Sequence, residues 1–304
     1  MKGGSAVTVP WEQVLPRDLR ACLKDLEPAE RTSLEEVRLR AGFSMSVSIG
    51  GAERTPDAWK DRLLTEADLR RVLEVAGGGS VHTILDQLRA GYVTASGGVR
   101  LGVCGTAAAD GGILRSFRTV TSLAVRVPHT IPGIARPLLP ALMEDGLLQS
   151  TLILSPPGWG KTTLLRDLIR CLSAGEGITP LRVGVADERG ELGAGDLRLF
   201  LGPRTDVLEN VPKAAALLML LRGMSPQVLA ADEITAPEDI RAMKTAAGCG
   251  AVLLATAHGT DPEDLRSRSL YRDLLDSGIF RRFVLVGMED GRRTYRVTDG
   301  EGRL

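Results

Sequence analysis

An α/β domain with a parallel sheet, preceded by a smaller α+β domain, is the fold class that this sequence predicts, on three observations. From Thr151 onward, short apolar runs alternate with helical patterns, as in strands joined by crossover helices. Before Val127, apolar residues recur with a period of two around glycine-rich turns, which suits a mostly antiparallel sheet. Between these stretches Pro128, Pro132, Pro137 and Pro140 punctuate the chain. The expected boundaries are therefore 1–127 for the first domain, 128–150 for a linker and lead-in, and 151–304 for the second.

In the first domain, Leu15, Leu19, Leu23 and Leu26 fall on one face of a helix expected over Leu15–Leu26. Val37 and Leu39, then Met45, Val47 and Ile49, alternate with polar residues and predict two strands within Glu35–Ile49, closed by Gly50-Gly51. Thr65 and Asp68 form a loose capping box before the stripe Leu69, Val72, Leu73 and Ala76, and Gly77-Gly78-Gly79 stops that helix. A further helix runs from Ser80 to about Arg89. Strands are expected at Tyr92–Ala95 and Val99–Val103, around the hairpin signal Ser96-Gly97-Gly98, and extended chain over Ile113–Val127. In the second domain, strands are expected at 151–155, 181–187, 227–231, 251–256 and 282–287. Helices are expected at 161–173, 213–223, 237–247 and 262–276. Ligands of such sheets sit beyond the carboxyl ends of the strands.

The bulk numbers narrow the class of function. Hydrophobic residues make up 43% and charged residues 25% of 304, which supports a real core. The first 130 residues hold 17 basic and 15 acidic side chains and the remainder 21 and 23, so neither part has the basic excess of a nucleic-acid binder. Cys22, Cys104, Cys171 and Cys249 are scattered, which argues against a disulfide framework or zinc site and fits a reducing compartment. His82 and His129 suggest no metal cluster. The start of the chain has no charged-then-apolar signal pattern. The longest apolar run, Ala214–Leu221, is far short of the roughly 18 residues that span a bilayer. A cytosolic location is expected, with any membrane role exerted through partners.

Chemistry is concentrated at the strand ends of the second domain. Ser155-Pro156-Pro157-Gly158-Trp159-Gly160-Lys161-Thr162-Thr163 follows an apolar strand and opens a helix, the context of a phosphate-binding loop. Its backbone N–H groups and the helix N-terminus would cradle phosphate oxygens, Lys161 would reach the β- and γ-phosphates of ATP, and Thr162 would hold Mg²⁺. Ser155 stands where the pattern has glycine. Val228–Ala231 ends in Asp232-Glu233, a Walker B pattern in which Asp232 would hold Mg²⁺ and Glu233 would orient the attacking water. A second strand ends in Asp187-Glu188-Arg189, and a third leads to His258, placed to sense the γ-phosphate or polarise the water.

The order of phosphate loop, acidic box, Asp232-Glu233 and Ala255-Thr256-Ala257-His258 resembles the ATPases of type II and type IV secretion, a RecA-like branch close to the AAA+ proteins. Longer strings sharpen the match. SPPGWGKTTLLRDLIR, ADERGELGA, GPRTDVLENVPKAAALLMLLRGMSPQVLAADEI and LLATAHGTDPEDLRSRS resemble the stage III sporulation protein AA family, as do EEVRLRAGFSMSVSIGG and LRAGYVTASGGVRLGVCG earlier on. That family accepts Ser at the first loop position. The resemblance spans about residues 12 to 285. It implies a cytosolic, mother-cell ATPase that forms a homohexameric ring and powers a channel through membrane-embedded partners. It also implies a catalytic role for Glu188 in the acidic box and an arginine supplied across the ring interface. Arg126 is the foremost candidate for that arginine, with Arg115, Arg118 and Arg204 beside it. RecA-like cores also drive nucleic-acid motors, and Arg38, Arg40, Arg100 and Arg115 lie on the first domain's strands. Near-neutral charge and only 4% aromatic residues argue against that alternative.

Overall fold

The computed structural model describes residues 11–79, 84–95, 98–110, 113–127, 129–193, 197–289 and 292–299. The chain divides into two compact units, Thr8–His129 and a second built on Thr130–Leu304.

The first unit opens with α1 (Arg17–Ala21) and α2 (Pro28–Thr32) and continues through β1 (Leu34–Arg40), β2 (Ser46–Ile49), β3 (Ala52–Arg54), α3 (Glu66–Ala76) and α4 (Leu85–Arg89). The strands β4 (Tyr92–Ala95), β5 (Val99–Asp110) and β6 (Ile113–Arg126) complete it. Its sheet has the order β3-β2-β1-β6-β5-β4, and every pairing is antiparallel. The helix expected over Leu15–Leu26 is shorter. After α1 the chain tightens into a 3₁₀ turn at Cys22–Asp25 and leaves it extended at Leu26. Pro28 disfavours helical backbone at the residue before it, so the chain must exit there. Leu15, Leu19, Leu23 and Leu26 are buried all the same. The capping box of α3 forms as expected: Asp68 N donates to Thr65 Oγ1 at 3.2 Å and Thr65 N to Asp68 Oδ2 at 2.8 Å. Strand β5 runs seven residues beyond Val103, because small residues let it lie close to β6. A Cβ at Gly105 would fall on the Thr119 carbonyl oxygen, and the register shifts between Cys104 and Gly105. Of the residues expected to shape this unit, Ser80–Thr83, His82 among them, and Ser96-Gly97 lie outside the described residues, as does Pro128.

In the second unit, residues expected as a linker are folded. Helix α5 (Leu139–Leu142) and the hairpin of β7 (Met143–Glu144) and β8 (Leu147–Leu148) bury Ala135, Leu139, Leu142 and Leu148. The alternating part follows as β9 (Thr151–Ser155), α6 (Lys161–Ala174), β10 (Val183–Asp187), α7 (Leu197–Phe200), β11 (Thr205–Glu209), α8 (Lys213–Met224) and β12 (Val228–Ala231). It ends with α9 (Pro237–Gly248), β13 (Val252–His258), α10 (Pro262–Ser267), α11 (Ser269–Asp276), β14 (Arg282–Glu289) and β15 (Arg292–Thr298). The sheet order is β11-β10-β12-β13-β9-β14-β15, parallel throughout except for the β14–β15 pair.

Alternate strand residues feed two cores. Leu152, Leu154, Leu229, Leu253 and Leu285 meet α8, α9 and α11, whereas Ile153, Val185, Ala230, Leu254 and Val284 meet α5 and α6. Helices therefore cover both faces, and strands buried on both sides read as unbroken apolar runs. The single helix expected over 262–276 is two, because Arg268 is extended at φ −96° and ψ 124°. Its guanidinium donates to the His258 carbonyl at 2.8 Å and to Asp264. Among the described residues, no helix is long and apolar enough to cross a membrane.

Candidate active site

The five residues of β9 are buried and deliver Ser155 to the sheet's carboxyl edge, where it lies in register with His258. The Ser155 hydroxyl donates to the Pro156 carbonyl at 2.8 Å, so it is spent within the turn. The loop then needs left-handed backbone at Gly158 (φ 80°) and Gly160 (φ 92°), which glycine adopts without penalty. Lys161 opens α6, and the helix dipole adds positive potential at that end. Pro157 and Gly158 are exposed, Pro156 and Gly160 half-buried, and Trp159 packs against the core shared with α6. Thr162 and Thr163 follow in the first turn, both half-buried.

Strands β12 and β13 bring their terminal side chains to the same place. Lys161 Nζ lies 3.2 Å from Glu233 Oε1 and 3.2 Å from His258 Nε2, and the latter is 3.0 Å from Glu233 Oε1. Glu233 Oε2 accepts from Arg189 Nη1 at 2.8 Å. Burial alone would raise the Glu233 carboxyl, but Lys161, His258 and Arg189 outweigh it and hold the group below the usual carboxylate range. One residue earlier, Asp232 Oδ2 accepts from the Thr162 hydroxyl at 2.7 Å, and Asp232 Oδ1 accepts from Thr256. The Thr256 hydroxyl in turn accepts the Glu233 N–H at 2.8 Å.

The acidic box splits by environment. Asp187 is buried, which pushes its carboxyl up to about 6 even though it accepts the N–H groups of Glu191, Leu192 and Gly193 at 2.7–3.0 Å. It shapes the loop after β10. Glu188 is exposed and lines the same small cleft as Arg189, Lys213, Asp232 and Glu233. Arg126 ends β6 in the other unit, its side chain 66% exposed and 3.8 Å from Glu36, and Arg115 and Arg118 are exposed on the same strand. Arg204 is exposed and donates to the Ser173 carbonyl at 3.1 Å.

The family pattern described as "Sporulation stage III, protein AA" matches residues 10–301. The chain belongs to this family. Stage III sporulation protein AA of Bacillus subtilis (strain 168) is 34% identical over 298 residues, 96% of this chain and 95% of that protein. The uncharacterized protein ycf45 of Porphyra purpurea is 29% identical over 58% of this chain and 30% of its own length. Among solved structures, the ATPase DotB of Yersinia pseudotuberculosis matches 93% of this chain and 79% of its own at TM-score 0.61 and 16% identity. The pilus retraction motor PilT matches 88% and 80% at TM-score 0.59 and 16% identity. At that identity the likeness is one of fold.

Four side chains join the cluster without having stood out as site residues in the sequence. Arg189 is visible there only as the end of the acidic box, and Thr256 only as a strand residue. Lys213 is buried, lies 3.6 Å from Asp239, and donates to the Glu233 carbonyl. Arg166 is buried on α6 and donates to the carbonyls of Glu191 and Leu192. Their partners lie 20 or more residues away in sequence, so no local spacing announces them.

Proposed function

We propose that this chain hydrolyses ATP, with the β9–α6 loop holding the phosphates. The observation that carries the reading is the meeting of Lys161, Glu233 and His258 beside the Thr162–Asp232 pair, at the carboxyl edge of a parallel sheet. A loop with two left-handed glycines, a buried lysine and a helix N-terminus suits a chain of phosphates. A hydroxyl and a carboxylate 2.7 Å apart supply two hard oxygen donors, the small protein share that Mg²⁺ takes when phosphates and water complete its shell. Mg²⁺ there would neutralise phosphate charge.

Within the chain, Lys161 reaches the phosphates by giving up one of its contacts to Glu233 or His258. Glu233, kept ionised by its cationic neighbours, accepts a hydrogen bond from the attacking water and directs it toward the γ-phosphorus, more as an orienting group than as a strong base. His258, within reach of both Lys161 and Glu233, links the phosphate-holding and water-holding side chains. Glu188 lines the same cleft and is a further candidate for positioning water. DotB is an ATPase and PilT a pilus retraction motor that binds ADP, which favours a motor role for the shared fold. The family's place in sporulation extends the reading to a homohexameric ring that drives a channel between mother cell and forespore from the cytosolic side, with membrane-embedded partners and Arg126 as the arginine acting across the ring.

Phosphate release by the purified chain with ATP and Mg²⁺ tests the proposal. Lys161→Ala is expected to lose nucleotide binding. Glu233→Gln is expected to bind ATP and to turn over at least about a hundredfold more slowly, the scale of a lost acid–base group. Undiminished hydrolysis by Glu233→Gln would sink the assignment.

A further inference from the structure

Arg293 takes no part in the site as described so far. It lies on β15, a seven-residue strand that carries Arg292, Arg293 and Arg296. Alternate residues of a strand share a face, so Arg293 stands with Tyr295 and Val297. Those two pack on the core that also receives Trp159 and Leu164, which is the side of the phosphate loop and α6. The geometry bears this out: a Cβ placed on Gly160 would lie 3.2 Å from Arg293 Nε and 3.4 Å from its Cζ. The guanidinium therefore rests against the last glycine of the loop.

Its electrostatic position is unusual. Arg189 is paired with Glu233 and Arg268 with Asp264, while Arg166 donates to two carbonyls. The Arg293 side chain makes no hydrogen bond or ion pair with the described residues. It places a positive charge beside loop amides and a helix N-terminus that are themselves electropositive, an arrangement that favours an anion between them. The sheet order gives that anion an orientation. Strands β12 and β13, which end at Glu233 and His258, lie on one side of β9, whereas β14 and β15 lie on the other. With the γ-phosphate toward Glu233, the phosphates nearer the nucleoside face Arg293.

We propose that Arg293 is a nucleotide-binding residue that grips the α- and β-phosphates from the side opposite Glu233. This rests on the reading of the β9–α6 loop as a nucleotide site. Calorimetric titration of ATP and of ADP into the full chain, carrying Glu233→Gln so that ATP is not consumed, tests it. Adding Arg293→Ala is expected to weaken both nucleotides about tenfold or more and in the same proportion, the worth of a lost charge-assisted hydrogen bond. Arg293→Lys should recover part of the loss, keeping the charge without the planar fork. Because the side chain is exposed, the Ala variant should melt at the parent's temperature. If Arg293→Ala binds ATP and ADP as tightly as the parent, or loses affinity for ATP alone, the inference is overturned while the nucleotide site stands. If the parent itself binds neither nucleotide, the loop reading fails and the inference with it.

Discussion

Glu233 is held at φ 46°, in the left-handed region that a residue with a Cβ enters at a cost of roughly 1–3 kcal/mol. The cost is met by fastening the residue on every side. Thr256 takes its N–H, Lys213 its carbonyl, and Lys161 and Arg189 its two carboxylate oxygens. The backbone twist thus aims the carboxylate at Lys161 rather than along the strand. Replacing Thr256 by Val keeps the shape and removes the hydroxyl that joins Asp232 to the Glu233 amide. The expected result is a loss of about 1–3 kcal/mol in stability by denaturant titration, the scale of the two hydrogen bonds that the hydroxyl makes. Turnover should fall more than nucleotide affinity does, because the loop itself is untouched. Equal turnover in Thr256→Val would show that the twist needs no such support. The sequence marks Asp232-Glu233 as acids ending an apolar strand, but nothing in it signals the twist, since Glu is not a residue that favours left-handed backbone.

Helix α6 works as a bracket between two loops. Its first turn presents Lys161 and Thr162. One turn later Arg166 and Asp167 are buried and reach in different directions. Arg166 binds the carbonyls of Glu191 and Leu192, and burial lowers its guanidinium to about 10 despite the charges of Asp232 and Asp187. Asp187 takes three N–H groups of the same loop, so the segment after β10 is clamped from both sides. Arg189 rides on that segment. Arg166→Met fills much of the space but frees both carbonyls. It should cost about 2–3 kcal/mol, the scale for buried polar groups left without a partner, and amide exchange at Glu191–Gly193 should accelerate. Unchanged protection there would show that Asp187 suffices alone. The strands β9, β10, β12, β13 and β14 are legible because both their faces are buried, which leaves continuous apolar runs. The edges β11 and β15 are not: TDVLE and RRTYRVT carry the charges that edge strands tolerate, and they read as loop. The break at Arg268 has no Gly or Pro to announce it. It depends on a carbonyl of His258, ten residues earlier in the chain.

Each of the two units has a sheet and a buried core of its own, and the second has cores on both faces of its sheet. A unit of that length buries about 70% of the surface its unfolded chain exposes, which is ample for independent folding. Residues 130–304 produced alone should unfold in one cooperative transition by circular dichroism and denaturant, and should retain the affinity of the β9–α6 loop for ADP. A fragment with no cooperative transition would show that this unit depends on residues 8–129.

Asp167 also fixes the chain that leads into the second unit. Its two oxygens hold the amides of Gly133 and Ala135 at 3.0 and 2.8 Å, so the incoming chain is bolted to the helix that starts at Lys161. On the other side, His129 Nε2 lies 2.8 Å from the Leu34 carbonyl of β1. Thr130, Ile131 and Pro132 lie between, and the proline fixes its own φ and narrows the choices of Ile131. The segment from His129 to Ala135 is thereby held at both ends. Fewer free torsions remain in this stretch than in one of the same length without a proline.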